Sequence, residues 1–303
     1  MELDLIECSN LQMSINKLLL LLLIIPFMGF SQLPQTNIYH FNITKVANSY
    51  RLKSPHFMTG FNKSGYNDQP SYFDDKVIYF ATNYYDSEKT EIAKFDLFEK
   101  TLTRITYTEE KEYSPTKVPG KDAFSVIRVE ADDVTQTLSL YPLDGIGYAK
   151  RYMNNTKNIG YHVWLDKEVV GLFLVEEPHH NLAIANAISE RRKIILDNVG
   201  RCLKVDKNSN LVYVHKLGET WFIKSYNTQT NKSIVLVETL QGAEDFELMN
   251  DGTILMGQGN TLYAYNPKQS KDWREVANLA GYGITNIKRI ASKRNSIVIV
   301  NED

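Results

Sequence analysis

The chain has 303 residues, 34 of them basic and 36 acidic, for a formal net charge of −2. So balanced a protein offers no electrostatic footprint for nucleic acid or for an anionic membrane surface. Two cysteines exclude a disulfide framework, and an aromatic content of 11%, with 18 Tyr, leans towards β-structure.

Lys17 precedes an apolar run from Leu18 to Phe30, which ends in Gly29-Phe30-Ser31 with small residues at the two positions a signal peptidase reads. About thirteen apolar residues are too few to span a bilayer and right for a secretory signal. Glu2, Asp4 and Glu7 do not suit a positive leader, so Met13 reads as the true start. The expected organisation is a signal peptide over 1–31 and one domain over 32–303, monomeric, without a membrane span, and periplasmic or secreted. The competing reading is an uncleaved anchor. No Cys follows the run, which argues against a lipoprotein. Removing 1–31 takes away one Lys and three acids and leaves the mature chain near neutrality, with Cys202 alone. About 270 residues bury one large core without staples.

"IYHFN" at Ile38 is the first short strand, and "YRLKSPHFMTG" supplies the next. The same signature, an Ile or Leu ahead of an aromatic or small residue and a closing Asp, Asn or Pro, returns as "IAKFD" at Ile92, "LSLYP" at Leu138, "LAIAN" at Leu182, "IKSYN" at Ile223 and "LYAYN" at Leu262. Alternating inward residues make a strand, and the closing residue starts the turn that ends it. A period of roughly 40 to 45 residues matches four strands per unit. In phase with it, polar turns lead into apolar strands at "FDDKVIYF", "PGKDAFSV", "LDKEVVGLF", "KNSNLVYV", "NDGTILM" and "SKRNSIVIV". "NLAIANAISERRKIILD" fits two short strands around a turn as well as it fits a helix. The final run, Ile297 to Val300, lacks a following third strand, and the N-terminal strands supply it. The fold class expected is all-β: a six-bladed β-propeller whose last blade is closed by the N-terminal strands.

The first two units carry more than spacing. "YNDQPSYFDDKVIYFATN" and "KEYSPTKVPGKDAFSVIRVE" resemble the WD40-like repeats of TolB-type propellers, with a polar or acidic residue three positions before a Pro. Those residues are Asn67 and Pro70, followed by Thr82 and Asn83, and Glu112 and Pro115. "IAKFDLFEKTLTRITYTEE" resembles the family's third and fourth strands. Later units keep the period and lose the Pro, so the motif likeness covers roughly residues 61–145. The chain is similar to single-domain secreted TolB-like propellers of the Bacteroidetes type, whose signals often end in Phe-Ser-Gln, as Phe30 to Gln32 do. The short stretch between the cleavage site and the first strand leaves no room for the additional N-terminal docking domain of TolB itself.

Catalytic motifs are not found: no G-x-S-x-G elbow, no H-E-x-x-H, no Cys-based metal spacing and no Asp-box, which "SKDWRE" at Ser270 does not fit. "GQGN" at Gly257 reads as a tight turn. "EEPHHN" (Glu176 to Asn181) is the densest polar cluster, but adjacent side chains on an extended segment point opposite ways. Trp164, Trp221 and Trp273 read as packing residues, Trp221 as the most exposed of them, and Cys202 as a small buried hydrophobe on an inner strand.

In a four-stranded blade the loops between strands two and three share a rim with the joins between blades. That rim collects the candidate binding residues Glu109, Glu110, Glu112, Asp132, Asp133, Glu176, Glu177, His179, His180, Glu219, Trp221, Glu244 and Asp245. Longer loops and an excess of acids predict a basic or polar protein partner there. The leading reading is a non-catalytic envelope scaffold without a cofactor. The alternatives are a small-molecule or carbohydrate sensor and an envelope hydrolase or lactonase with a channel metal, for which Glu112, Asp245, Asn286 and His162 would have to converge.

Overall fold

The computed structural model describes residues 33–143 and 149–303; the expected leader, 1–31, lies outside the described residues. Residues Pro34–Asp303 form one compact unit. The first two strands are β1 (Thr36–Val46) and β2 (Ser49–Phe57). Blade 1 follows as β3 (Asn67–Tyr72), β4 (Val77–Thr82), β5 (Glu91–Asp96) and β6 (Thr101–Arg104). Blade 2 is β7 (Lys111–Lys117), β8 (Ala123–Val129), β9 (Gln136–Pro142) and β10 (Lys150–Tyr152). Blade 3 is β11 (Ile159–Trp164), β12 (Val169–Leu174), β13 (Asn181–Asn186) and β14 (Arg192–Asp197). Blade 4 comprises β15 (Val199–Val205), β16 (Leu211–Leu217), β17 (Thr220–Asn227) and β18 (Lys232–Glu238). Blade 5 comprises β19 (Phe246–Leu248), β20 (Ile254–Gln258), β21 (Thr261–Tyr265) and β22 (Arg274–Asn278). The chain ends with β23 (Ile287–Lys293) and β24 (Ser296–Glu302).

Six antiparallel four-stranded sheets result, and the sixth has the order β2-β1-β24-β23. The N-terminal strand therefore closes the ring, with Ile38 opposite Val300 and Phe41 opposite Ile297. Period-2 alternation explains the continuous apolar run of β24. Ile297 and Ile299 face a core shared with Leu255, Leu262 and Leu279 of blade 5. Val298 and Val300 face the other way, onto Ile78, Phe80 and Ala93 of blade 1. Every residue from Ile297 to Val300 is fully buried because each face meets a neighbouring blade.

Turn chemistry sets the strand ends. The closing Asp96 carboxylate accepts the N–H groups of Phe98 and Glu99, and Asn186 and Asn227 make the matching bonds to Ile188 and Ser189 and to Gln229 and Thr230. Gly257 serves a different purpose, since a Cβ there would overlap the Ile287 side chain where blade 5 meets the closing blade. Among the described residues the helical segments are two 3-10 turns, Gly60–Asn62 and Ala280–Tyr282, and no helix is long and apolar enough to cross a membrane.

Candidate binding rim and channel mouth

The innermost strands of four blades place Asp68, Tyr113, Tyr161 and Arg289 around the channel at equivalent register positions; Arg201 of β15 and Asp245, just ahead of β19, join them. Asp68 opposes Ala81, Tyr113 opposes Ile127 and Tyr161 opposes Phe173, each on the fifth residue of the second strand. Arg289 opposes Val300 in the same way. Arg289 leaves the closing blade and donates to the Tyr161 hydroxyl of blade 3, on the far side of the ring, at 2.9 Å. Its guanidinium also lies 2.8 Å from Asp68 and 3.3 Å from Asp245. Burial works against the Arg289 charge, yet Asp68, Tyr161 and Asp245 hold its pKa well above the ordinary value. Burial also raises the Asp245 carboxyl, against the pull of Arg289 and Arg201.

One step towards the rim, Glu244 meets Lys216 at 2.6 Å and Arg201 at 3.3 Å. Burial would raise its pKa, but those cations outweigh it and hold it below the ordinary value. The Lys216 ammonium lies 4.3 Å from the Trp221 ring, whose N–H donates to the Gly218 carbonyl. Beside these groups opens a cleft of about 340 Å³, lined by Arg201, Glu244, Asp245, Asn286 and Lys288 and by the Gly257–Gly259 turn. Its charges already pair with one another, Lys288 with Glu302 at 3.0 Å included. The walls are polar and close to neutral.

Across the ring the same rim carries rings of another kind. Tyr84 packs edge-on against Phe61 and Tyr85. Arg104 lies 5.1 Å from the Tyr85 ring centroid and 4.4 Å from that of Tyr107. Tyr107 is 70% exposed and Tyr84 46%, a cost in hydration that packing inside the blades does not explain.

The sequence candidates fall into three groups. Glu244, Asp245 and Trp221 gather at the channel mouth. Glu109, Glu110, Asp132, Asp133, Glu176, Glu177, His179, His180 and Glu219 lie on the long-loop rim, spread over several blades. Several of these carry partners: Lys89 on Glu109 at 2.5 Å, Arg128 on Glu110 at 2.6 Å and Lys111 on Asp133 at 2.7 Å. Asp132 closes its own turn through Val134 and Thr135, with the Thr135 hydroxyl chiefly responsible for lowering its pKa to about 2. In "EEPHHN" the Asn181 amide donates to Glu176, and both His side chains are exposed.

Glu112 differs from its expected place: it is fully buried beneath the rim, bonded by the Thr108 and Tyr141 hydroxyls. The reason lies in the motif. Asn67, at the equivalent position of blade 1, likewise ties down the preceding join through the carbonyls of Thr36 and Asn62. A polar residue there ties down the preceding blade join, through backbone carbonyls for Asn67 and through the Thr108 hydroxyl for Glu112, and does not face solvent. The four residues weighed as metal ligands do not meet. His162 bonds Ser125 at 2.6 Å inside the blade 2–3 core, where Trp164 also donates to Ser125. Asp245 faces two guanidiniums, Glu112 its hydroxyls, and Asn286 the open cleft.

No family model matches this chain, and no curated protein matches it by sequence. Solved structures do match. A putative TolB from Agrobacterium tumefaciens is 9% identical at a TM-score of 0.65, over 89% of this chain and 99% of that one. This chain is a six-bladed β-propeller with a TolB-like fold. A chain of a nidogen/laminin complex aligns with the propeller at a TM-score of 0.61 and 13% identity, over 88% and 98%. A putative gluconolactonase does so at 0.56 and 8%, over 79% and 89%. At these identities the shared property is the fold, which hosts binding proteins and enzymes alike.

The sequence reading passed over Asp68, Tyr161, Arg201 and Arg289. Each stands alone in its own repeat; for Asp68, Tyr161 and Arg289 the signal lay in phase, since each opposes the fifth residue of the second strand.

Proposed function

We propose that this propeller is a non-catalytic binding scaffold of the cell envelope, periplasmic or secreted, which takes a protein partner on its long-loop rim. The observation that carries the reading is Arg289. Its contacts with Tyr161, Asp68 and Asp245 join four blades across the channel and pair its charge with two carboxylates. Paired charges of this kind are poor nucleophiles and poor ligands, and they turn recognition outwards, to the rim. There the exposed Tyr84 and Tyr107 offer rigid, amphipathic contact area of the sort enriched at interfaces. Farther round the same rim, Glu177, Glu219 and the His179-His180 pair add polar contacts. A hydrolase with a channel metal would need ligands from several blades at one point, and Asp68 and Asp245 already bind guanidinium there.

Affinity capture from envelope fractions tests the reading. Replacing Glu176, Glu177, His179 and His180 together by Ala or Ser is expected to weaken capture. Stability should hold within about 0.5 kcal/mol, because exposed loop side chains contribute little. Capture that survives this change and the loss of Tyr84 and Tyr107, but fails on Arg294→Ala at the opposite rim, places the interface on the wrong face.

A further inference from the structure

We propose that Glu91 and Glu112 form a buried proton-binding site at the seam between blades 1 and 2, and that its protonation state sets the conformation of the aromatic rim above it. Its biological consequence rests on the rim reading; its chemistry does not.

Glu91 opens β5, Glu112 stands second in β7, and both are fully buried. Thr108, in the join between the blades, touches both. Its N–H donates to Glu91 Oε1 at 3.2 Å and its hydroxyl to Glu112 Oε1 at 2.9 Å. The Tyr141 hydroxyl donates to the same Glu112 oxygen. Oε2 of each carboxyl is buried without a hydrogen-bond partner. Arg104 is the cation bonded to the pair, through Nη2 to Glu91 Oε1 at 2.7 Å. Arg128, which neighbours Glu112 on β8, is held by Glu110 at 2.6 Å and Glu130 at 3.4 Å.

Arg128 Nε is buried without a partner, but Arg128 already faces Glu110 and Glu130, so four carboxylates share two guanidiniums at this seam. With Glu91 and Glu112 both ionised, negative charge is left uncompensated in the seam, beside two acceptors that lack a donor. A single proton removes the charge and supplies a donor at once. Burial is the main force on Glu112 and pushes its pKa up to about 7; bonds from Thr106 and Tyr141 oppose it, and the Glu91 charge adds to it.

The coupling to the rim is mechanical. Arg104, which neutralises Glu91, also donates from Nε to the Thr106 carbonyl at 2.9 Å and lies against Tyr85 and Tyr107. When the proton leaves, the second charge draws on the same guanidinium and on the same Thr108 that hold the join at 105–110. Rising pH through neutrality therefore loosens Tyr107, and falling pH clamps it.

The test is an NMR titration of the whole chain, with labelled Glu carboxyls and Tyr rings, from about pH 4 to about pH 9, with EDTA or with added Ca2+. The expected result is a Glu112 midpoint near 7, with the Tyr107 ring moving at the same midpoint. Glu112→Gln abolishes the Tyr107 step. Thr108→Val shifts the Glu112 midpoint upward, since it removes a donor that favours the charged form. If Glu112→Gln does not fold, Thr108→Val decides, and an unmoved midpoint there overturns the proposal. So do a Glu112 that titrates in the ordinary carboxyl range, a Tyr107 step that persists in Glu112→Gln, and Ca2+ replacing the proton by abolishing both titrations. No partner enters the measurement, so its failure and that of partner capture are read separately.

Discussion

Arg289 shows how far a single side chain shapes this molecule. A guanidinium that reaches across a channel to the opposite blade is tolerated because Asp68, Asp245 and the Tyr161 hydroxyl receive it. Such a set adds little net stability over an apolar filling, yet breaking it by halves is costly, because carboxylates remain buried and unpaired. Arg289→Ala is therefore expected to cost about 3–5 kcal/mol. Adding Asp68→Asn and Asp245→Asn to it should recover a large part of that loss. Urea unfolding midpoints of the single and triple variants check this. Equal destabilisation in both would mean that Arg289 acts by packing and not by charge.

At the scale of strands and blades the fold was legible, and the reason is physical. The second and third strands of the blades are largely buried between neighbouring blades, so apolar runs and period-2 alternation mark them, whereas outer strands such as β14 and β18 are largely exposed. The Asp and Asn residues that end third strands, such as Asp96, Asn186 and Asn227, carry turn bonds that any sequence needs at that place. Ring closure was legible as well, because the run Ile297 to Val300 demanded partners on both sides and the strand at Ile38, which pairs with it, stood as a spare copy of the third-strand pattern. The binding side was less so. The rim looked acidic in sequence because its bases, Arg128, Lys216 and Lys89, come from other segments and reach their acids only in the fold. Glu112 looked exposed because a carboxylate in a loop-proximal position usually is. Removing residues 35–60 should leave β24 with an unpaired outer edge and bare apolar groups, and so cause aggregation. A protein starting at Phe61 that stays monomeric and melts like the full domain speaks against closure by β1 and β2.

For the whole molecule, the proposed function puts a six-bladed ring in the cell envelope with its long-loop rim as the binding face. The location rests on the apolar run Leu18 to Phe30, which predicts a mature protein beginning at Gln32. Mass spectrometry of the protein from envelope fractions reads that terminus, and a species retaining Lys17 would mean an anchor. The central claim is that the long-loop rim, and not the channel, binds a protein. The most direct measurement is photo-crosslinking in living cells, with a crosslinking residue placed at Tyr84, Tyr107 or Glu177 on that rim and at Lys207 or Arg294 on the other. The account predicts discrete protein adducts from the first three positions and none from the last two. Adducts confined to Lys207 and Arg294 would contradict it.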